Sequence, residues 1–220
     1  MHKARLRFKK EKEGVYVSHL DLTRMFSRAF SRLRIPIQYT QGFNPHPYMV
    51  FGPPLSVGVT GMAEVLDVEL VNDMPGEVVL ERFAGAMPQG IEIIDCYEGE
   101  DKLAAIEKAD YSGYVTFPAP MDEKGLSFVR AHFESEEMWV TKRTKRGERQ
   151  MDLAKLIDAI TFSLDEAGAI LFEARVACGS VENVNPIYIT RAIAAAVGME
   201  ETFARYQRNG FYTGEGKIFR

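Results

Sequence analysis

Only two cysteines, Cys96 and Cys178, occur in the chain, far apart and outside any CxxC or CxxxCxxC pattern. That excludes a disulfide framework and gives no support to a thiolate-held metal cluster, so both read as buried or incidental thiols. No apolar run approaches the ~20 residues that cross a bilayer. The first residues, Met-His-Lys-Ala-Arg-Leu-Arg, lead into a strand pattern rather than a signal sequence, so the expectation is a cytoplasmic protein with no membrane partner. Also missing are GxSxG, HExxH, GxGxxG and GxxxxGKS, the patterns that announce a nucleophile, a metalloprotease or a phosphate-cradling loop. With four histidines in all, a metal site would need His19 and His46 to converge with an acid such as Asp21, and none is expected.

What is present is enough for one large domain or two smaller ones: 220 residues, 46% of them hydrophobic. The net charge of −4 hides a polarity along the chain. Residues 1–50 carry ten Lys/Arg against three Asp/Glu, whereas residues 51–110 carry three against thirteen. A basic first quarter followed by an acidic stretch marks either a face for an anionic partner or merely uneven solvating charge.

Apolar and basic residues alternate from Ala4 to Lys9, as in a half-buried strand. From Ser18 the period becomes helical. Ser18 with Asp21 resembles a capping box, and Leu22, Phe26, Ala29 and Leu33 share one face until Pro36 stops the helix. Strands are expected at 37–40, 48–51, 64–71 and 91–94, with a helix opening at Pro75 and Gly76, giving the order β-α-β-β-β-α-β. The second half reads as the same order again: strands at 111–117 and 138–141, a helix at 124–134, a hairpin across 160–176, a helix at 186–197 and a strand at 204–212. The expected fold is therefore α+β, two related ferredoxin-like halves (1–97 and 111–220), each an antiparallel sheet backed by two helices, joined by an acidic linker at 98–110.

Three constellations carry chemistry. Arg24, Arg28 and Arg32 are spaced i, i+4, i+8 on the first helix, with no Glu between Leu22 and Arg34 to pair with them. Such a stripe suits phosphate or another anion, the alternative being a solvated face. The proline-stiffened loop Gln41-Gly42-Phe43-Asn44-Pro45-His46-Pro47 offers an aromatic, amides and an imidazole to an unpaired base, unless Phe43 fills the core and His46 caps backbone. Lys142, Arg143, Lys145 and Arg146, with Arg149, form a basic hairpin or loop beside Trp139, either anion-binding or simply solvated. Asn183 and Asn185 precede the last helix, where capping competes with anion binding.

The strings Ser18-His19-Leu20-Asp21-Leu22, the Arg-rich helix, residues 41–47 and Pro54-Leu55-Ser56-Val57-Gly58 resemble the radical SAM-linked protein family, a domain of unknown function. The resemblance extends to 142–152, to 183–186 and to 208–212. It implies a partner rather than a reaction: family members occur fused to, or encoded beside, radical SAM proteins with a cobalamin-binding region. This chain resembles the separate form, so the iron–sulfur cluster, SAM and cobalamin are expected in the partner enzyme and no cofactor in this chain. No catalytic residue transfers; Ser18, His19, Asp21, Asn183 and Asn185 are motif residues without an assigned role.

Three functions compete. The first is a non-enzymatic, RNA-binding or substrate-presenting partner of a radical SAM enzyme acting on RNA. The second is a metal-independent endoribonuclease using His19 or His46 as general acid or base, by analogy with duplicated ferredoxin-like folds in CRISPR repeat processing. The third is a structural adaptor between proteins.

Overall fold

The computed structural model describes residues 2–144 and 147–220. They group into two units: the first runs to Ile106 and takes in Gly210–Arg220, and the second is Glu107–Asn209.

In the first unit the alternation near the N-terminus becomes strand β1 (Lys3–Lys10), which buries Ala4, Leu6 and Phe8. Helix α1 (His19–Arg32) starts where the Ser18 hydroxyl accepts the Asp21 N–H and donates to the Asp21 carboxylate. Its buried stripe of Leu22, Phe26, Ala29 and Phe30 lies on the sheet, and Arg34, in the left-handed region at φ 53°, turns the chain out of it. Strands β2 (Met49–Phe51) and β3 (Thr60–Glu69), helix α2 (Gly76–Phe83) and strand β4 (Ile91–Tyr97) follow. The sheet order is β4-β1-β3, with β2 added to β3, and each of these pairs is antiparallel. Aromatic rings fill the space between helices and sheet: Phe8 meets Phe26 edge-on at 5.1 Å, and Phe30 meets Phe83 at 5.2 Å. Burial of several such rings, each worth about 1.5–3 kcal/mol, anchors α1.

The expected strand at 37–40 is a correction. It is reduced to isolated bridges, Ile37 to Leu70 and Tyr39 to Pro47, because Pro36, Pro45 and Pro47 withhold the N–H groups a continuous ladder needs.

The second unit comprises β5 (Ile106–Thr116) from Glu107 onward, α3 (Glu123–Phe133), β6 (Trp139–Thr144), β7 (Gly147–Asp152), β8 (Ile157–Leu164), β9 (Ile170–Ala177), α4 (Ile187–Val197) and β10 (Phe203–Thr213) as far as Asn209. Its sheet runs β10-β5-β9-β8, while β6 and β7 pair only with each other. Leu126 and Val129 of α3 and Ile189 and Ile193 of α4 are buried with Val115, Ile170, Phe172 and Val176 of the strands. Two expectations change. Of the hairpin and loop readings of the basic run, the hairpin holds, with Lys142 and Arg143 on β6 and Arg149 on β7, which adds a strand to the expected order; and the segment 106–110 expected as linker is the start of β5.

The architecture is thus α+β, mostly antiparallel, with four α-helices among the described residues. No described helix is long and apolar enough to cross a membrane.

Candidate nucleic-acid interface

A cavity of about 610 Å³ opens in the first unit between α1 and the segment 46–54. One wall is polar and comes from the helix: His19, Thr23 and Ser27 form a stripe at i, i+4, i+8, with Arg24 and Arg28 on the neighbouring stripe. The facing wall is apolar, built from Pro47, Met49, Val50, Phe51 and Pro54, with His46 at its edge. Gly52 completes it. A Cβ there would stand 2.6 Å from a Val65 methyl, so only glycine lets the chain after β2 lie this close to β3.

Of the three sequence-predicted arginines the cavity receives two. Arg24 also reaches Asp21 at 3.4 Å, a contact between exposed groups that leaves most of its hydrogen-bonding capacity open. Arg28 is exposed. Arg32 is exposed as well but does not line the cavity; its guanidinium donates to the Ala86 carbonyl. His19 stands against the Phe51 ring, centroids 5.2 Å apart, on the helix's first turn.

Residues 38–48 fold back on themselves about the isolated bridge of Tyr39 to Pro47. The Thr40 N–H donates to the His46 carbonyl and the Tyr48 N–H to the Gln38 carbonyl. The loop carried at its tip leaves Gln41, Phe43 and Asn44 exposed, and the Phe43 ring is fully so. The reading in which Phe43 fills the core is therefore excluded. His46 Nδ1 lies 3.2 Å from the Asn44 carbonyl and 3.1 Å from Thr40 Oγ1. A carbonyl only accepts, so that contact needs a proton on Nδ1 and leaves Nε2 of a neutral ring as an acceptor.

Other predicted positions have structural roles. Ser18 and Asp21 cap α1. Asn185 Oδ1 accepts the Ile187 N–H, which favours capping at α4, and the Asn183 carbonyl accepts from Lys142 Nζ at 3.3 Å. The Arg143 side chain, and Lys145 and Arg146 altogether, lie outside the described residues. Both cysteines are buried, and burial, with Asp95 adding to it, pushes the Cys96 thiol up to about 12, too high for thiolate chemistry near neutrality. Thr23 and Ser27 were not anticipated, although their spacing from His19 is the same i, i+4, i+8 that marks the arginines.

A family model described as "Uncharacterized protein conserved in bacteria (DUF2344)" matches residues 3–186. No curated protein matches the chain. Among solved structures, the chain is similar to one in a Cbf5-Nop10-Gar1 complex, with 14% identity and a TM-score of 0.52 over 94% of this chain and 48% of that one. It is similar also to a chain in an H/ACA RNP bound to a substrate RNA containing 2'-deoxyuridine, with 14% identity and a TM-score of 0.52 over 97% and 48%. At that identity the likeness is one of fold, and the chain spans about half the length of those it matches.

Proposed function

The chain belongs to the DUF2344 family of proteins conserved in bacteria, and from that premise we propose that it is an RNA-binding, substrate-presenting partner of a separately encoded radical SAM enzyme. The observation that carries the RNA-binding part is the cavity of the first unit, lined by Arg24, Arg28, His19 and His46, with the exposed Phe43 three residues before His46 on the same loop. Guanidiniums match phosphate oxygens, and an exposed ring on a stiff loop stacks on an unpaired base at small entropic cost. The likeness in fold to a chain of an RNA-bound particle agrees with this reading. The radical SAM part rests on the resemblance of the N-terminal motifs. Iron–sulfur cluster, SAM and cobalamin then sit in the partner, and the fold belonging to this reading is two related ferredoxin-like halves.

Mobility shifts of single-stranded RNA at several salt concentrations test the first part. Binding is expected to weaken steeply with salt, and His46→Ala is expected to cost about 1–3 kcal/mol, one base contact. A shift insensitive to salt would favour an adaptor. Affinity purification from the native cell tests the second part, with a radical SAM protein the expected companion.

One observation favours a second reading, an endoribonuclease: His19 and His46 line the same cavity, as a general acid and base would. Incubation with total RNA in EDTA decides. The binding partner leaves RNA intact, whereas specific fragments ending in 2′,3′-cyclic phosphate, lost on His19→Ala or His46→Ala, would establish the nuclease.

A further inference from the structure

The cavity has a size and a division of chemistry that narrow what it holds. Its volume of about 610 Å³ lies in the range of small-molecule pockets and is far below what a duplex needs. Its two walls differ in kind: hydroxyls and guanidiniums on α1, and a hydrogen-bond-poor surface of Pro47, Met49, Phe51 and Pro54 opposite. A ligand that satisfies both has a flat apolar body, a hydrogen-bonding rim and an anionic end. An isolated phosphate leaves the apolar wall wet, and a purely apolar ligand leaves the arginines without a counter-charge.

We propose that this cavity holds a single unstacked nucleotide, with its phosphate on Arg24 and Arg28 and its base against the wall of Pro47, Met49, Phe51 and Pro54. This rests on the RNA-binding reading above and specifies the unit that is gripped. Thr23 and Ser27 face the sugar and base edge from the helix. His46 Nε2, left as acceptor when Nδ1 donates to the Asn44 carbonyl, takes a hydrogen from an exocyclic amine or a ribose hydroxyl. Phe43, outside the cavity and fully exposed, stacks on a neighbouring base of the same strand. The protein therefore splays a strand, one nucleotide inside and the next on the loop, which is how a base is displayed to an enzyme that must reach its atoms.

Titration calorimetry with adenosine 5′-monophosphate, adenosine and inorganic phosphate tests the pocket. The monophosphate is expected to bind roughly tenfold or more tighter than either part alone, the scale of one stacking interaction added to the phosphate contact. Ser27→Phe fills the cavity while leaving both arginines in place, and should weaken the monophosphate by a similar factor with an unchanged melting temperature. If that variant does not fold, Thr23→Trp fills the same wall one turn earlier. Equal binding of all three ligands, or full binding by a folded, filled variant, overturns the proposal.

A gel shift with a single-stranded RNA 12-mer separates the two readings. RNA that binds but is not displaced by the monophosphate supports RNA binding and overturns the nucleotide pocket. Binding of the monophosphate with no binding of the 12-mer overturns the RNA reading and identifies the ligand as a free nucleotide.

Discussion

The α1–β2 contact of the first unit and the α3–β8 contact of the second occupy the same place in the order of elements, and a cavity of about 610 Å³ opens beside the first. In both units the second strand of the main sheet packs outside the third, beside the first helix. In the second unit β8 pairs with β9 over eight residues, and the Phe133 and Phe162 rings close the space at 4.9 Å. In the first unit β2 has three residues. Five of the ten prolines lie between positions 36 and 54, so the ladder is stopped on both sides, and the only residue of β2 whose ring reaches the helix among the described contacts is Phe51, against His19 at 5.2 Å and Phe26 at 5.7 Å. Arg130 of α3 illustrates the same contrast, since it donates to the Phe162 carbonyl and approaches Glu123, while Arg28 of α1 faces the cavity. A cavity on this framework thus goes with a shortened strand rather than with an added domain.

The largest expected difference between the units lies in a cross-strand ion pair that both possess with its signs exchanged. Arg5 of β1 faces Asp67 of β3, and Asp110 of β5 faces Arg175 of β9. Each pair is bidentate, at 2.7 and 2.8 Å in the first and 2.7 and 3.0 Å in the second. The Arg5 side chain, however, is 2% exposed and also donates to the Asp101 and Arg220 carbonyls beneath the Phe219 ring, whereas that of Arg175 is 32% exposed. Arg5→Ala leaves a carboxylate and two carbonyls without their donor and is expected to cost about 3–5 kcal/mol. Arg175→Ala is expected to cost about 1 kcal/mol or less. Urea denaturation of both variants measures this, and equal losses would show that burial does not set the difference.

The next effect concerns binding. Arg28→Ala should weaken single-stranded RNA across sequences and reduce the salt slope by about 0.7, one phosphate contact on a single strand. Arg130→Ala and Arg32→Ala, whose guanidiniums are bonded to carbonyls, should leave affinity and slope unchanged. A loss in Arg130→Ala as large as in Arg28→Ala would move the interface to the second unit.

The helix that carries the site was legible in the sequence because its signals are local: the Ser18–Asp21 cap, the apolar stripe and the stop before Pro36. Spacing singled out Arg24 and Arg28 and the stiff loop His46, and all three line the cavity, as does His19, a motif residue to which the sequence assigned no role. The contact of Arg32 with the Ala86 carbonyl, 54 residues away, is encoded by no periodicity. Arg5 is the same lesson in the core. It reads as one more base on a half-buried strand, and becomes a buried hub only because Asp67, Asp101 and Arg220 arrive around it. The β6–β7 pair was legible only as one of two readings, hairpin or loop, because basic residues on both strands give no apolar alternation to fix a register. The cavity itself is the absence of a strand, and depends on how β3 positions residues after the prolines.

The smallest expected effect distinguishes that β6–β7 pair from β2–β3. Asp152 closes the base of the hairpin opposite Trp139: one carboxylate oxygen accepts the Met138 N–H at 2.9 Å and the Ala154 N–H at 3.3 Å, and the other takes Lys155 Nζ at 2.9 Å. The Met138 N–H above all, and then Lys155, hold the Asp152 carboxyl below its ordinary range. Its folded pKa is thus lower than the value of about 3.9 in the unfolded chain, so its contribution is fully present above about pH 4 and is lost as pH falls through the folded value. Hydrogen exchange, expressed as protection relative to the free-chain rate at each pH, should show β6–β7 amides losing protection on acidification more than those between β2 and β3, where Asp67 pairs with Arg5 and is not among the residues shown accepting a backbone N–H. Asp152→Asn retains an acceptor for Met138 but not the charge, so its hairpin should be less protected at pH 6 and should lose the acid-dependent step. A hairpin that opens with the same pH profile in the Asn variant would assign the step to another group.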